Sequence, residues 1–436
     1  KKRIALAGRI RGLRKQGNII FIDLEDGSGK IQAVVKKDES PDFSLIEATA
    51  DLDDFLEVEG RIFKTQKGEK SIFGEKTKII AKSLRPLPSK FYGLADTETR
   101  LRERYLDLLF NPELKELFAR KSLFWEETRK FLKKNGFLEV ETPVLETIPG
   151  GADAEPFITR HNALNQDFYL RISLELPLKK LMVAGFEKIY EVGRIFRNEG
   201  IDDEHLQDYT QLEFYWAYAD YNQMMEFGRK LYQTVIKNTF GVLVLPWKNK
   251  KISWGGKWPV LQYIELMKGA TGFDPRQKGR DKLESFAKKH LGEIQPNMGK
   301  GKLIDLIFKK LIRPNLIQPS FLINPPVEAE PLAKRLEGDP TLVERFQIMA
   351  CGTELGKGFS ELNDPVDQRK RFEEQMRLRK KGQKDAQRLD EDFLKALEYG
   401  MPPTAGFGMS ERLFSILVDK PIRETVIFPL LKSKPY

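Results

Sequence analysis

Along residues 189–216 polar and apolar side chains alternate through IYEVGRIFRNEGIDDEHLQDYTQLEFYW, broken by a polar run in the middle. A period of two puts Tyr209, Gln211, Glu213 and Tyr215 on one face of a strand, and Leu212, Phe214 and Trp216 on the other. Arg197 and Glu199 share a face of the preceding arm. The pattern predicts a long hairpin whose connection, GIDDEHLQD, exceeds a two-residue turn. Its charged face either meets water or forms a site, because buried charges need partners.

Residues 1–86 carry short β-rich runs at 4–10, 18–24, 31–35, 55–64 and 76–81, turns at 26–29 and 66–69, and a helical piece at 43–48. Five strands around a helix are the inventory of an OB-fold barrel, whose sheet face binds oligonucleotides. Phe21 and Gln32 stand on adjacent predicted strands, an aromatic able to stack on a base and an amide able to read its edge. Pro86 and Pro88 open a linker in which Arg100, Arg102 and Arg104 alternate with Leu101 and Tyr105. Such a face suits RNA, a partner subunit or solvent.

A long helix follows, with Asn111 as N-cap, Pro112 at its first position, Glu113 in its first turn and Gly136 as its stop. Leu114, Leu117, Phe118, Trp125, Thr128, Phe131 and Leu132, with the stem of Lys121, form its apolar stripe. GFLEVETPVLETIPGGADAEPF then reads as an extended strand, which Pro143 assigns to an edge or a subunit seam. Further on, Glu175 opens a short helix at 176–184, an amphipathic helix ends at Gly241, and two strands flank Gly352. Gly406 and Gly408 read as a turn feeding a helix near whose start Arg412 stands. Residues 242–340 read as an insertion of surface helices.

The length of 436 residues suits two or three domains, and 40% hydrophobic content is enough for full cores. No apolar run approaches the roughly 20 residues that cross a bilayer, so a soluble protein is expected. A net charge of +10 favours an anionic partner such as nucleic acid. The single cysteine, Cys351, excludes an internal disulfide and fits a reducing cytoplasm, while three scattered histidines make no zinc site.

FRNEG, a loop containing His205, and then QLEFYWAYAD together resemble motif 2 (about 189–216) of the class II aminoacyl-tRNA synthetases, nearest the lysine branch. The stretch ending IPGGA, followed by PFITRHNAL, resembles motif 1 (about 124–149), and LEYGMPPTAGFGMSERL resembles motif 3 (about 402–418). The resemblance implies an α+β protein: an N-terminal five-stranded OB-fold β-barrel that binds the anticodon over 1–86, a hinge over 87–110, and an antiparallel-sheet catalytic domain over 111–436. It further implies a cytoplasmic homodimer, sealed by motif 1, with no membrane partner. Its reaction would be ATP-dependent activation of L-lysine to lysyl-adenylate with release of pyrophosphate, then transfer to the 3′-terminal ribose of tRNA(Lys).

Activation joins a carboxylate to a phosphate, two anions that repel, so the site must concentrate positive charge where negative charge develops. In the resemblance Arg197 bridges those two groups and Arg412 holds the γ-phosphate over one adenine face, which makes these two the catalytic candidates. Glu199 meets the adenine amino group, Tyr209 stacks on the other face, His205 contacts phosphate, and Glu354 with Gln347 holds Mg²⁺. Gly151, Glu175, Arg197, Glu213, Tyr215, Lys357, Phe359 and Glu361 make the lysine pocket, with Glu213 and Glu361 on the ε-ammonium and Glu175 on the α-amino group. Phe21, Gln32 and Glu69 contact the anticodon.

Several positions depart from the family pattern: Ser173-Leu174 for Ala-Pro, Leu206-Gln207-Asp208 for Asn-Pro-Glu, Glu330 for Ser, Gln347 for Glu, Lys357 for Asn, and Ser410-Glu411 for Ile-Asp. Gln347 offers a hard cation an oxygen without a charge, so Mg²⁺ is expected to be held more loosely. These departures leave a catalytically altered RNA-binding or protein-lysylating paralogue as one alternative. An aspartate or asparagine enzyme is another, against which the carboxylates of the pocket face count. Stacking on an aromatic is worth about 1–3 kcal/mol per base, so Phe21→Ala is expected to weaken tRNA charging strongly and to leave ATP–pyrophosphate exchange intact. Equal loss of both activities would refute the anticodon role of Phe21.

Overall fold

The computed structural model describes residues 3–65, 68–87, 96–200, 205–383 and 385–433. Residues 66 and 67 of the predicted turn, Pro88 and the linker as far as 95, and 201–204 of the hairpin loop lie outside them. The chain divides into two compact units, Lys1–Arg100 and Leu101–Tyr436.

In the first unit β1 (Arg3–Gln16), β2 (Ile19–Glu25), β3 (Lys30–Lys36), β4 (Phe55–Lys64) and β5 (Lys70–Ala81) close into a barrel of order β1-β2-β3-β5-β4, with α1 (Phe43–Thr49) between β3 and β4. Ile10, Ile20, Ile22, Leu24, Ala33, Val35, Leu56, Val58 and Ile72 fill it, as alternation requires. β5 starts at Lys70 rather than at 76, because Ser71 and Phe73 pair with Gln32 and Val34 to close the barrel. Gly60 sits at a bulge where a Cβ would overlap the Phe73 carbonyl, so the strands bend there only without a side chain.

The second unit is built on an eight-stranded sheet, and the elements that form or flank it include, in chain order, α2 (Pro112–Lys134), β6 (Leu138–Glu139), α3 (Glu175–Val183), β7 (Lys188–Phe196), β8 (Asp208–Ala217), α4 (Tyr221–Phe240), β9 (Val260–Gln262), β10 (Ser320–Ile323), β11 (Arg345–Ala350), β12 (Thr353–Ser360), α5 (Glu391–Glu398), β13 (Thr404–Ser410) and α6 (Arg412–Leu417). The strand order is β9-β10-β11-β12-β13-β8-β7-β6, antiparallel except for the outermost pair at each edge. Leu212, Phe214, Phe346, Ile348, Ala405 and Phe407 cover one face and pack on Phe124, Trp125, Leu231, Tyr232 and Val235 of α2 and α4. α4 starts at a capping box between Asp220 and Gln223 and stops at Gly241, whose φ of 76° suits glycine.

Several expectations change. The first arm of the hairpin stops at Phe196, so Arg197 and Glu199 lie in irregular chain beyond it. Pro143 falls between two short strands, Leu138–Glu139 and Leu145–Glu146, rather than inside one, since it cannot donate to a ladder. Asn111 does not cap α2 through its side chain, which donates to Asp107 instead. Arg104 is buried, donates to Asp107 Oδ2 at 2.6 Å and to the Glu424 carbonyl, and so cannot face RNA. Gly406 and Gly408 lie inside β13 rather than in a turn. The helix Lys300–Leu311 buries Leu303, Ile304, Ile307 and Phe308 in a core shared with Leu322 and Met349 of the sheet instead of riding on the surface. Among the described residues no helix is long and apolar enough to cross a membrane.

Phe407 joins the two layers, with ring centroids 5.2 Å from Phe214, 5.8 Å from Phe346 and 6.2 Å from Tyr232. Phe407→Ala should destabilise the second unit by about 3–5 kcal/mol, read as a lowered midpoint of its denaturant transition; an unchanged midpoint would contradict this packing role.

Candidate active site

The face of the sheet opposite the helices lines a cavity of about 400 Å³. Register sets the order of side chains there. Gln347 lies opposite Lys357, Lys357 opposite Gly408, and Gly408 opposite Glu213. One step along the strands, Arg345, Phe359, Gly406 and Tyr215 form a parallel row. The glycines are there for clearance: a Cβ at Gly406 would overlap Glu361 Oε1 and come within 2.6 Å of the Tyr215 ring.

At one end three buried carboxylates converge. Glu175 and Glu361 both pair with Lys179, at 2.6 Å for Glu175, and the Lys179 side chain is fully buried. Its ammonium also lies 5.4 Å from the Phe359 ring centroid. Glu175 and Lys179 meet because they are four residues apart on α3. Burial raises the Glu361 carboxyl well above its ordinary range and raises Glu175 as well, with Lys179 opposing both shifts. Burial would lower Lys179, but Glu175 and Glu361 outweigh it and hold the ammonium above its ordinary value.

Glu213 is held by neutral donors. Oε1 accepts from Ser173 Oγ at 2.8 Å, from the Leu174 N–H at 3.1 Å and from Gln211 Nε2 at 2.6 Å, and Oε2 accepts from Tyr215 Oη at 2.9 Å. Two of these donors come from Ser173-Leu174; Ala has no hydroxyl and Pro no N–H, so an Ala-Pro pair could supply neither. Gly151, at φ 83°, brings its loop so close that a Cβ would lie 2.9 Å from Glu175 Cβ.

Toward the other end, Arg197 donates from Nε to the Ile172 carbonyl at 3.3 Å and lies 5.6 Å from the Tyr209 ring centroid. Glu199, His205 and Arg412 line the same cavity. Gln347 donates from Nε2 to Glu354 Oε2. Lys357 donates to Glu330 Oε2 at 2.9 Å, and Arg345 reaches the same oxygen at 3.3 Å. Burial would raise Glu330, yet Lys357 and Arg345 hold its carboxyl below the ordinary range. Among the described residues no three His, Cys, Asp or Glu side chains are grouped to hold a metal ion. Glu354 with the Gln347 oxygen fits an Mg²⁺ held mainly by phosphates rather than by protein.

The cavity thus gathers Gly151, Glu175, Arg197, Glu199, His205, Tyr209, Glu213, Tyr215, Gln347, Glu354, Lys357, Phe359, Glu361 and Arg412, all singled out in the sequence. Phe21, Gln32 and Glu69 belong to the barrel unit. There Phe21 is half-buried on the outer face, Gln32 accepts from Ser71 Oγ at 3.3 Å, and Glu69 is exposed at the turn before β5. Missed in the sequence were Lys179, whose signal was its i,i+4 spacing from Glu175, and Arg345, while Ser173 and Gln211 were named there but not as donors to Glu213. Asp305, Lys309 and Arg313, which the insertion adds to the wall, left no signal. Glu411, one of the departures, is buried away from this chemistry: it takes the Lys121 ammonium and accepts the Thr210 N–H at 2.9 Å, pinning the start of α6 to β8 and α2.

Residues 96–432 match the model of the class II tRNA synthetases (D, K and N), and residues 4–87 match the OB-fold nucleic acid binding domain. The chain belongs to the class II tRNA synthetases. Within that family it is 44% identical to a lysine–tRNA ligase of Moorella thermoacetica over 99% of this chain and 89% of that one. It is 43% identical to the lysine–tRNA ligase of Pelotomaculum thermopropionicum (99% and 86%) and 41% to that of Bacillus subtilis (99% and 87%).

Removing one partner from a buried ion pair costs about 3–5 kcal/mol, so Lys179→Met should destabilise the second unit by about that much. The two carboxyls left behind would have folded pKa values above their unfolded ones. Their penalty is therefore absent at low pH and grows as pH rises from the unfolded value toward the folded one. Thermal unfolding should show a larger deficit at pH 8 than at pH 5, and a pH-independent deficit would contradict the network.

Proposed function

We propose that this protein is a lysine–tRNA ligase, which activates lysine with ATP and transfers it to tRNA(Lys). The observation that carries the reading is the charge balance of the buried end. Glu175, Glu213 and Glu361 bring three negative charges, Lys179 returns one positive, and the formal surplus of two matches the α- and ε-ammonium groups of free lysine. Burial raises the Glu175 and Glu361 carboxyls, the neighbouring carboxylates add to the shift, and two bound ammonium groups would oppose it.

Glu213 and Glu361 meet the ε-ammonium and Glu175 the α-amino group, beside Tyr215, Phe359 and Gly151. A compact ammonium has three donors, and convergent acceptors satisfy it. Arg197 takes the substrate carboxylate and the α-phosphate as their charges are brought together, and Arg412 takes the γ-phosphate and one face of adenine. Tyr209 covers the other face, Glu199 accepts from the adenine amino group, and His205 contacts phosphate. Mg²⁺ bound with ATP would be held by the side-chain oxygens of Glu354 and Gln347 and would neutralise phosphate charge. The chemistry needs no protein nucleophile. In transfer, the terminal ribose hydroxyl attacks the adenylate carbonyl, a step governed by positioning.

tRNA is selected in the barrel unit. With the Gln32 carbonyl accepting from Ser71, the amide N–H₂ donates to a base stacked on Phe21, and Glu69 adds a third contact. The assembly is a homodimer joined along motif 1, a reading supported by the exposed apolar side chains Leu138, Val144, Leu145 and Ile148 on that segment. An aspartate or asparagine substrate lacks the second ammonium that the pocket's charge requires.

Breaking a buried hydrogen-bonded charge pair costs about 2–5 kcal/mol, roughly 30-fold to several thousand-fold in affinity. Glu361→Gln and Glu213→Gln should each raise the lysine KM in ATP–pyrophosphate exchange by that order, with norleucine rejected by the native protein. Near-normal KM and turnover in both variants would sink the assignment.

A further inference from the structure

Three positions that depart from the family pattern, Glu330, Gln347 and Lys357, meet at one corner of the cavity. Glu330 is buried and receives two cations, Arg345 at 3.3 Å and Lys357 at 2.9 Å, so this cluster carries a surplus positive charge. The Lys357 side chain is 37% exposed, and among the described residues Glu330 is its one hydrogen-bond partner. An ammonium has three donors, so two remain for a ligand in the cavity. Lys357 stands directly across the strand pair from Gln347, where side chains lie about 4.5–5.5 Å apart at Cβ. Gln347 in turn spends its N–H on Glu354. Two carboxylates facing each other at 347 and 354 would need a cation between them at all times, whereas an amide and a carboxylate satisfy each other until Mg²⁺ arrives with ATP, and then hold no more than that one ion.

We propose that Lys357, seated on Glu330, replaces one divalent cation: its ammonium contacts phosphate oxygens of ATP, and the site works with fewer protein-held metal ions. The proposal rests on the ATP-dependent reading above. Seating on Glu330 keeps the ammonium in place before nucleotide arrives, while Arg345 keeps Glu330 from neutralising it. The swap is coupled. Gln347→Glu alone would set its new carboxylate opposite Lys357 and form an ion pair there, so recovering a metal site requires changing Lys357 and Glu330 as well.

The test counts Mn²⁺ bound per active site by electron paramagnetic resonance, in the presence of lysine and α,β-methylene-ATP. The triple variant Glu330→Ser, Gln347→Glu, Lys357→Asn should bind one more Mn²⁺ than the native protein. A second measurement does not depend on the triple variant folding well. In EDTA, Lys357→Met should bind the analogue about 10- to 100-fold more weakly than the native protein, the size expected of a lost charge-assisted hydrogen bond. Equal Mn²⁺ counts, or equal metal-free affinities, would overturn the proposal. Failure of the native protein to bind the analogue even with Mn²⁺ would overturn the ATP-dependent reading itself, and the proposal with it.

Discussion

The site depends on one buried ammonium. Lys179 lies beneath the cavity with Glu175 on its own helix and Glu361 just past the end of β12, and without it two carboxylates would be buried together with nothing between them. Desolvation makes such a cluster costly unless every charge is paired, and here pairing is complete enough to bury it yet still leaves an excess of acid. That excess is what a cationic substrate answers. Stability and specificity therefore share the same three groups. The ammonium also lies near the Phe359 and Phe393 rings, which fix where the stem of Lys179 can run.

The sheet converts this chemistry into a geometry. Because side chains alternate, one set of residues on β8, β11, β12 and β13 packs into the aromatic core with Phe214, Phe346 and Phe407, while the interleaved set lines the cavity. A slip of one residue in any of these strands would send Glu213 or Lys357 into the core. The aromatic layer thus enforces the register on which the cavity relies. Gly406 completes it by leaving room for Tyr215 and Glu361 to close over β13.

The departures from the family pattern fall into groups with physical sense. Ser173 and Leu174 add two donors to Glu213, fixing a carboxylate that Tyr215 and Gln211 already hold. Glu330, Gln347 and Lys357 rearrange charge at the opposite end, with Gln347 donating to Glu354 and Lys357 to Glu330. Glu411 is structural, tying β8 to α2 through Lys121 and Thr210. Changes that look like losses one at a time are exchanges when their partners are seen.

Local physics in the sequence determined much of this protein. Alternation located the barrel strands and the hairpin β7–β8, Gly136 and Gly241 marked the helix ends, and motifs 2 and 3 together with the stretches around 151, 175 and 347–361 held the residues that line the cavity. Those features depend on neighbours in the chain, where periodicity is legible. Tertiary structure alone decided the rest. Gly406 and Gly408 read locally as a turn, but strands on both sides pair with them and make them the floor beneath Glu361 and Glu213. Arg104 read as a surface cation, but Asp107 and the Glu424 carbonyl bury it. The pairing of Glu361 with Lys179, and of Glu330 with both Lys357 and Arg345, joins segments far apart in sequence. Only the packed sheet brings them together, because charge partners in a protein interior are chosen by distance in space.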